Sequence, residues 1–330
     1  MRILSILVVL AMLLWGGWWF VGATAEGHAA RAFFAGQQAA GKTASYSSLE
    51  VLGFPNRFDL TVNDIALGDP AAGVTWRAPF AQIFALSYNP YHYIAALPHR
   101  QELQTPDGTL TLGSSKMEAS LTLVPGLAFA LREAILVIDR PDLGSSLGWQ
   151  AAAATLRAAA RRIPGRPLVQ QLGLEIDSVV PNAALKAMLD PKGALPATLD
   201  QIYLNAEAGF DAPIDRHLAA RPPQLTELTL QDAHIGWGPL RLSAQGELTV
   251  AADGTPVGRI TLTVKDWPAM IDAAVGLGLL RPEIAPTVHN MLAELATGSP
   301  DPDTVTLPLS FQQGFMSIGP LPLGPAPRLR

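Results

Sequence analysis

The clearest periodic stretch near the N-terminus is RFDLTVNDIAL, residues 57–67. Phe58, Leu60 and Val62 alternate with Asp59, Thr61 and Asn63. A period of two is what a strand needs when one face is buried and the other wet. Alternating or β-branched runs recur at residues 45–52, 74–86, 103–112, 116–124, 130–139, 170–180 and 199–210. The region 225–267 is cleanest, with strands predicted over 225–237, 240–251 and 258–264. Turn residues separate them: Gly53-Phe54-Pro55, Gly68-Asp69-Pro70, Pro106-Asp107-Gly108, Pro125-Gly126, Gly238-Pro239 and Asp253-Gly254. Pro79, inside a strand, marks a bulge or an edge because proline cannot donate to the ladder. Strands are also predicted at 304–311 and 316–318, around Gly314, and the Pro-rich tail from Gly319 is predicted not to pair regularly.

Helical signals are fewer. Residues 147–162 are Ala-rich with Arg157, Arg161 and Arg162 toward the end and Pro164-Gly165 beyond, which predicts a helix with Ser146 as its cap. A short helix is predicted at 182–189, capped by Asn182. A helical turn is predicted at 214–220, and two helices at 268–280 and 282–296 with Asp266 or Trp267 near the first cap. The expected fold class is mainly β (α+β): an N-terminal transmembrane helix and a large curved antiparallel sheet of meanders, with a few helices packed on one face.

Residues 3–21 are apolar except for Ser5, long enough to cross a bilayer as a helix. Arg2 keeps the N-terminus inside, and Trp15, Trp18 and Trp19 are placed for an outer aromatic belt. A cleaved signal is the competing account, since Ala23-Thr24-Ala25 resembles a cleavage site, but its apolar region is usually ~7–15 residues. The expected organisation is residues 1–25 as anchor or signal segment and 26–44 as a juxtamembrane helix. Residues 45–330 form a β-rich domain whose two halves meet near 143–167. A helix is predicted over 24–41, in which Ala29, Ala32, Phe33 and Phe34 form an apolar stripe that lies on the membrane or, as the plainer account, caps the first strands.

Composition narrows the partners. Charged residues make up 15% of the 330 and the net charge is -5, with no basic block, which argues against nucleic acid. Cysteine is absent, which removes disulfides, thiolate metal sites and Cys nucleophiles.

The candidate chemistry is thin. The six histidines, His28, His92, His99, His217, His234 and His289, contain no helical i, i+4 pair and no H-E-x-x-H. Tyr91-His92-Tyr93 is the most site-like cluster, and its plainer account is a turn packed by its own aromatics. Asp139, Asp142 and Arg140 form one acidic spot, and Asp211, Asp215, Arg216 and His217 another; surface ion pairs account for both. Ser114, Ser115, Ser145 and Ser146 lack the G-x-S-x-G elbow. Gly276-Leu277-Gly278 is no phosphate loop, and close packing explains it better. What stands out is apolar surface: Trp76, Phe80, Phe84, Trp237, Trp267 and the greasy run Val275, Leu277, Leu279, Leu280. No catalytic, cofactor or metal residues are assigned.

Gly53-Phe54-Pro55 with Arg57-Phe58, then Trp76-Arg77-Ala78-Pro79, then Tyr88-Asn89-Pro90, resembles the DUF2125 family of alphaproteobacterial exported proteins. Leu307-Pro308-Leu309, Gly314 and the run Ile318-Gly319-Pro320-Leu321-Pro322-Leu323 are similar to its closing motif. The resemblance implies location rather than a reaction. More loosely, an anchor followed by β-meanders with Asp-Gly turns resembles AsmA-like envelope proteins, by fold analogy alone.

The expected protein is therefore a non-enzymatic, single-pass inner-membrane protein, anchored through residues 3–21 with its body in the periplasm. It binds or passes lipid, or supports outer-membrane assembly. The alternatives are a structural partner of an envelope complex without a ligand and, last, an exported hydrolase.

Overall fold

The computed structural model describes residues 2–218, 220–297, 301–319 and 321–329. Among these residues it is mostly antiparallel β-sheet with four helices, and the sheet is not closed. The chain divides into two compact units, residues 1–148 and 149–330.

Unit 1 opens with α1 (Arg2–Ala39), one helix of 38 residues, or about 57 Å at 1.5 Å per residue. An 18-residue window within it has a mean hydropathy of 2.1 and is 6% buried, so the helix is long and apolar enough to cross a membrane. Nine strands and a short tenth follow: β1 (Thr43–Ser45), β2 (Ser48–Leu52), β3 (Arg57–Asp69), β4 (Val74–Leu86), β5 (Asn89–Leu97), β6 (Arg100–Thr105), β7 (Gly108–Gly113), β8 (Lys116–Leu123), β9 (Leu131–Asp139) and β10 (Asp142–Ser145). β3 pairs along its length with β4 and, on its other edge, with β2 and then β1.

β4 is where this sheet forks. Its residues 75–77 pair with β6, which leads to β7 and β10. Its residues 82–86 pair with β5, which leads to β8 and β9. Pro79, with no N–H to give, sits between the two partners. Opposite it Asp64 adopts a left-handed φ of 51° and the ladder skips both residues. That residue also shifts the phase of β3. The buried positions are Phe58, Leu60 and Val62 before it and Ile65 and Ala66 after it, and it is Ile65 that joins the cluster of Leu60 and Val62.

Unit 2 is a sequential meander. Its strands are β11 (Gln150–Ala152), β12 (Thr155–Ile163), β13 (Arg166–Val179), β14 (Leu199–Phe210), β15 (Leu225–Trp237), β16 (Leu240–Val250), β17 (Pro256–Lys265), β18 (Thr304–Gln312), β19 (Phe315–Ile318) and β20 (Leu321–Pro325). From β12 onward each pairs antiparallel with the next. α2 (Ala183–Leu189) lies in the β13–β14 connection, and α3 (Trp267–Gly276) and α4 (Ala285–Thr297) in the β17–β18 connection.

The register sorts residues by face. One row across seven strands reads Leu156, Ile176, Ile202, Ile235, Leu242, Val264 and Val305. The adjacent row, on the opposite face, reads Arg157, Glu175, Tyr203, His234, Ser243, Thr263 and Thr306. One side of this sheet is hydrocarbon and the other is polar.

The structure corrects several expectations. Residues 147–162 are not a helix: 150–152 and 155–163 are strands. Pairing with β13 overrides alanine's helical preference, and Arg157 and Arg161 stay exposed on one side of the strand. Ser146 therefore caps no helix; its Oγ accepts from the Thr109 N–H at 2.9 Å in a turn. Tyr91-His92-Tyr93 is not a turn but the middle of β5. The segment expected as a second helix over 24–41 continues α1 without a break through Ala23-Thr24-Ala25. The predicted strand at 45–52 is two short strands. The tail pairs after all: β20 lies along β19, while Pro320 of that motif is outside the described residues. Asn182 caps α2 as expected, accepting from the Leu185 N–H at 2.8 Å. Asp266 precedes α3 in a left-handed conformation without a side-chain capping bond. Residues 214–220 form hydrogen-bonded turns, with residue 219 outside the described set.

Candidate functional site: two apolar sheet faces

In unit 1 the face of β3 and β4 that carries Leu60, Val62, Ala81 and Ile83 looks toward α1. The helix comes close because Gly22 has no side chain; a Cβ there would sit 2.3 Å from the Phe58 ring. Trp19, only 6% exposed, packs with Phe58 and Ala85, and further along Phe34 packs with Leu49, Leu60, Val62 and Ile65. Three indoles fix the docking. Trp15 Nε1 donates to Pro55 O at 3.1 Å, Trp18 Nε1 to Ser87 O at 2.9 Å and Trp19 Nε1 to Arg57 O at 2.6 Å. These tryptophans thus hold the helix to the sheet as well as lying at the end of the apolar run, a role their position in sequence did not signal.

The helix does not fill the face. Between α1 and the sheet remains a cavity of about 310 Å³, lined by Ala30, Phe33, Leu60, Ala81 and Ile83 and reached by Trp76 and Glu26. That is the size range of a small-ligand pocket. Tyr93 Oη donates to Glu26 Oε1 at 3.4 Å. Burial raises the Glu26 carboxyl above its usual value against the lowering effect of that hydrogen bond. Burial and the neighbouring Glu26 charge push the Tyr93 phenol up to about 12. Glu26 is thus a charged residue in an otherwise apolar lining, and Tyr93 reaches it from β5.

In unit 2 helices and tail close part of the apolar face. Trp237, Trp267, Ile271, Leu292, Val264 and Val305 form its main core. Trp237 Nε1 donates to Pro196 O at 2.9 Å, and Trp267 Nε1 to Pro302 O at 3.2 Å. α2 and α3 touch backbone to backbone: a Cβ on Gly276 would lie 1.6 Å from Met188 O. At the other end Leu248, Ile260 and Phe311 are covered by Ala326 and Leu329 of the tail. Toward β12 and β13 the cover thins, and Ala158, Ala160, Leu172, Leu174 and Leu204 are half-exposed.

The polar candidates are structural in their contacts. His92 pairs with Ser120 Oγ at 3.1 Å and His99 with Ser114 O at 3.1 Å. Asp211 accepts from the Gln224 N–H, and Asp215 from the His217 N–H, both at 2.8 Å, so these carboxylates hold turns. The His217 bonds also hold the Asp215 carboxyl below its usual value. Asp142 lies against Gly113, and no described contact joins it to Asp139. The polar face of unit 2 carries a network that sequence reasoning missed. His234 contacts Asp232 Oδ1 at 3.0 Å and Gln201 Oε1 at 3.1 Å and stacks on Tyr203 at 5.0 Å. Both ring nitrogens are occupied, so Ser243, its cross-strand neighbour, is not activated by this imidazole. Among the described residues no three His, Asp or Glu side chains converge as metal ligands.

A family model described as "Uncharacterized protein conserved in bacteria (DUF2125)" matches residues 19–327. No curated protein and no solved structure matches the chain.

Proposed function

The chain belongs to the DUF2125 family of uncharacterized bacterial proteins, and from that membership and its apolar N-terminal helix we propose an inner-membrane-anchored periplasmic protein that holds lipid acyl chains on apolar sheet faces. The observation that carries this reading is the cavity under α1, which begins just beyond the apolar run 3–21. A lipid leaving the outer leaflet along the helix meets hydrocarbon there rather than water. Each ~100 Å² of acyl surface covered stabilises by roughly 2.5 kcal/mol, so no dense set of polar contacts is required. Arg2 supplies the inside charge that orients the body outward. Glu26 and Tyr93 offer one carboxyl and one hydroxyl to the polar end of a lipid. We assign no catalysis: the carboxylates of a hydrolase reading, Asp211 and Asp215, are engaged in turns.

A second reading is favoured by unit 2. Its half-exposed Leu172, Leu174 and Leu204, with exposed Leu277, Leu279 and Leu295, suit an envelope protein partner as well as a lipid. Extraction of the full chain in mild detergent, followed by native mass spectrometry, separates the two. A defined lipid near one per chain supports the groove. A chain that carries only detergent, together with a partner captured by crosslinking, supports the interface.

A further inference from the structure

We propose that one end of unit 1 is itself immersed in the bilayer, so that the protein contacts lipid through loop tips as well as through α1. The inference rests on reading α1 as a membrane anchor. It begins with length. Residues 3–21 span about 28 Å as a helix, matching a hydrocarbon core of about 30 Å. The sheet, however, is already attached at Trp15, Trp18 and Trp19 through three indole hydrogen bonds. Residues 3–14 alone would span only about 18 Å, too short by roughly 12 Å. The hydrocarbon must therefore continue past Trp15, and the turns bonded to these tryptophans go in with it, about 5–10 Å deep.

The loops at that end are built for it. The register places the β2–β3 turn at 53–56, the β4–β5 turn at 87–88 and the β8–β9 turn at 124–130 at the same end of the sheet. Each exposes large apolar side chains: Phe54 at 59%, Tyr88 at 64% and Leu127 at 83%. Phe54 packs edge-on to Trp19 and beside Phe20, so the loop and the anchor present one continuous apolar surface. Aromatic side chains with a polar handle favour this depth of a membrane. The opposite end differs. Its turns at 70–73 and 106–107 carry Pro70, Ala71, Ala72, Pro106 and Asp107, with Leu147 nearby as an exposed apolar exception.

Because the chain lacks cysteine, single probes are simple to place. F54C, Y88C, L127C and D107C versions of the full chain would be nitroxide-labelled in vesicles of phosphatidylethanolamine and phosphatidylglycerol. Accessibility to oxygen and to a water-soluble nickel chelate would then be measured by spin resonance. The expected result is a several-fold higher oxygen-to-nickel ratio at 54, 88 and 127 than at 107. Protein that floats with the vesicles but gives water-like ratios at 54, 88 and 127 overturns this inference and leaves the anchor intact. Protein that does not float overturns both.

Discussion

Each unit sets helices against one apolar sheet face, and the two do so to different degrees. Unit 2 brings three helices and a tail, and its Trp237, Trp267 and Leu292 are 3–5% exposed in a filled core. Unit 1 brings one helix, anchored by tryptophans at one end and Phe34 further along, with about 310 Å³ left between. A single cylinder on a wide sheet covers a stripe and not a plane, so the face beside it must be filled by large side chains or left open. Ala81 and Ala30 leave it open. The contrast teaches where room remains: the apolar face of unit 2 is filled around Trp237 and Trp267, and the face under α1 in unit 1 is not.

The comparison can be broken by substitution. Trp237→Ala should cost about 3–5 kcal/mol, as large-to-small changes in filled cores do. Hydrogen exchange should show lost protection in α2, α3 and β15 while α1 and β3 keep theirs. Retained protection around β15 would mean that unit 2 is looser than its packing shows. Gly22→Leu should cost about 1–3 kcal/mol by forcing α1 away from Phe58. Urea midpoints would report the cost, and proteolysis between residues 39 and 48 should accelerate.

A paired test is sharper. Ala296→Leu, in the unit 2 core, should destabilise by about 1–3 kcal/mol, whereas Ala81→Leu, filling the unit 1 cavity, should stabilise by about 1 kcal/mol. Ala81→Leu should also lower the lipid retained on extraction. Equal destabilisation by both would show that the unit 1 cavity is not available space.

The smallest effect is on pH. Burial raises the Glu26 carboxyl, so the folded state binds its proton more tightly than the unfolded chain. That contribution is greatest below the usual glutamate value and is lost as pH rises through the raised one. Glu26→Gln should flatten this part of the stability–pH curve and stabilise modestly at neutral pH. An unchanged curve would place Glu26 in water rather than in the groove.

Much of the fold was legible because period-two alternation is a local signal. β3, β4, β14 and β15 could be read from their own side chains. β12 could not, since alanine marks no face, and Arg157 and Arg161, four apart, share a side in a helix and in a strand alike. β5 was hidden by aromatic clustering around His92. The apolar faces of the candidate site were visible as alternation, but the cover over them was not. Trp15, Trp18 and Trp19 bond to carbonyls 38–69 residues away, and nothing local announces such partners. The His234 network likewise exists only once β14 and β15 fall into register.

The unbroken run of α1 has a mechanical meaning. A helix hydrogen-bonded from Arg2 to Ala39 and bolted to β3 at Trp19 and Phe34 behaves as a mast rather than a tether. Spanning helices answer a change in bilayer thickness by tilting. Were α1 to span a bilayer, any tilt of it would swing the unit 1 sheet through the same angle, because the unbroken helix is docked on that sheet.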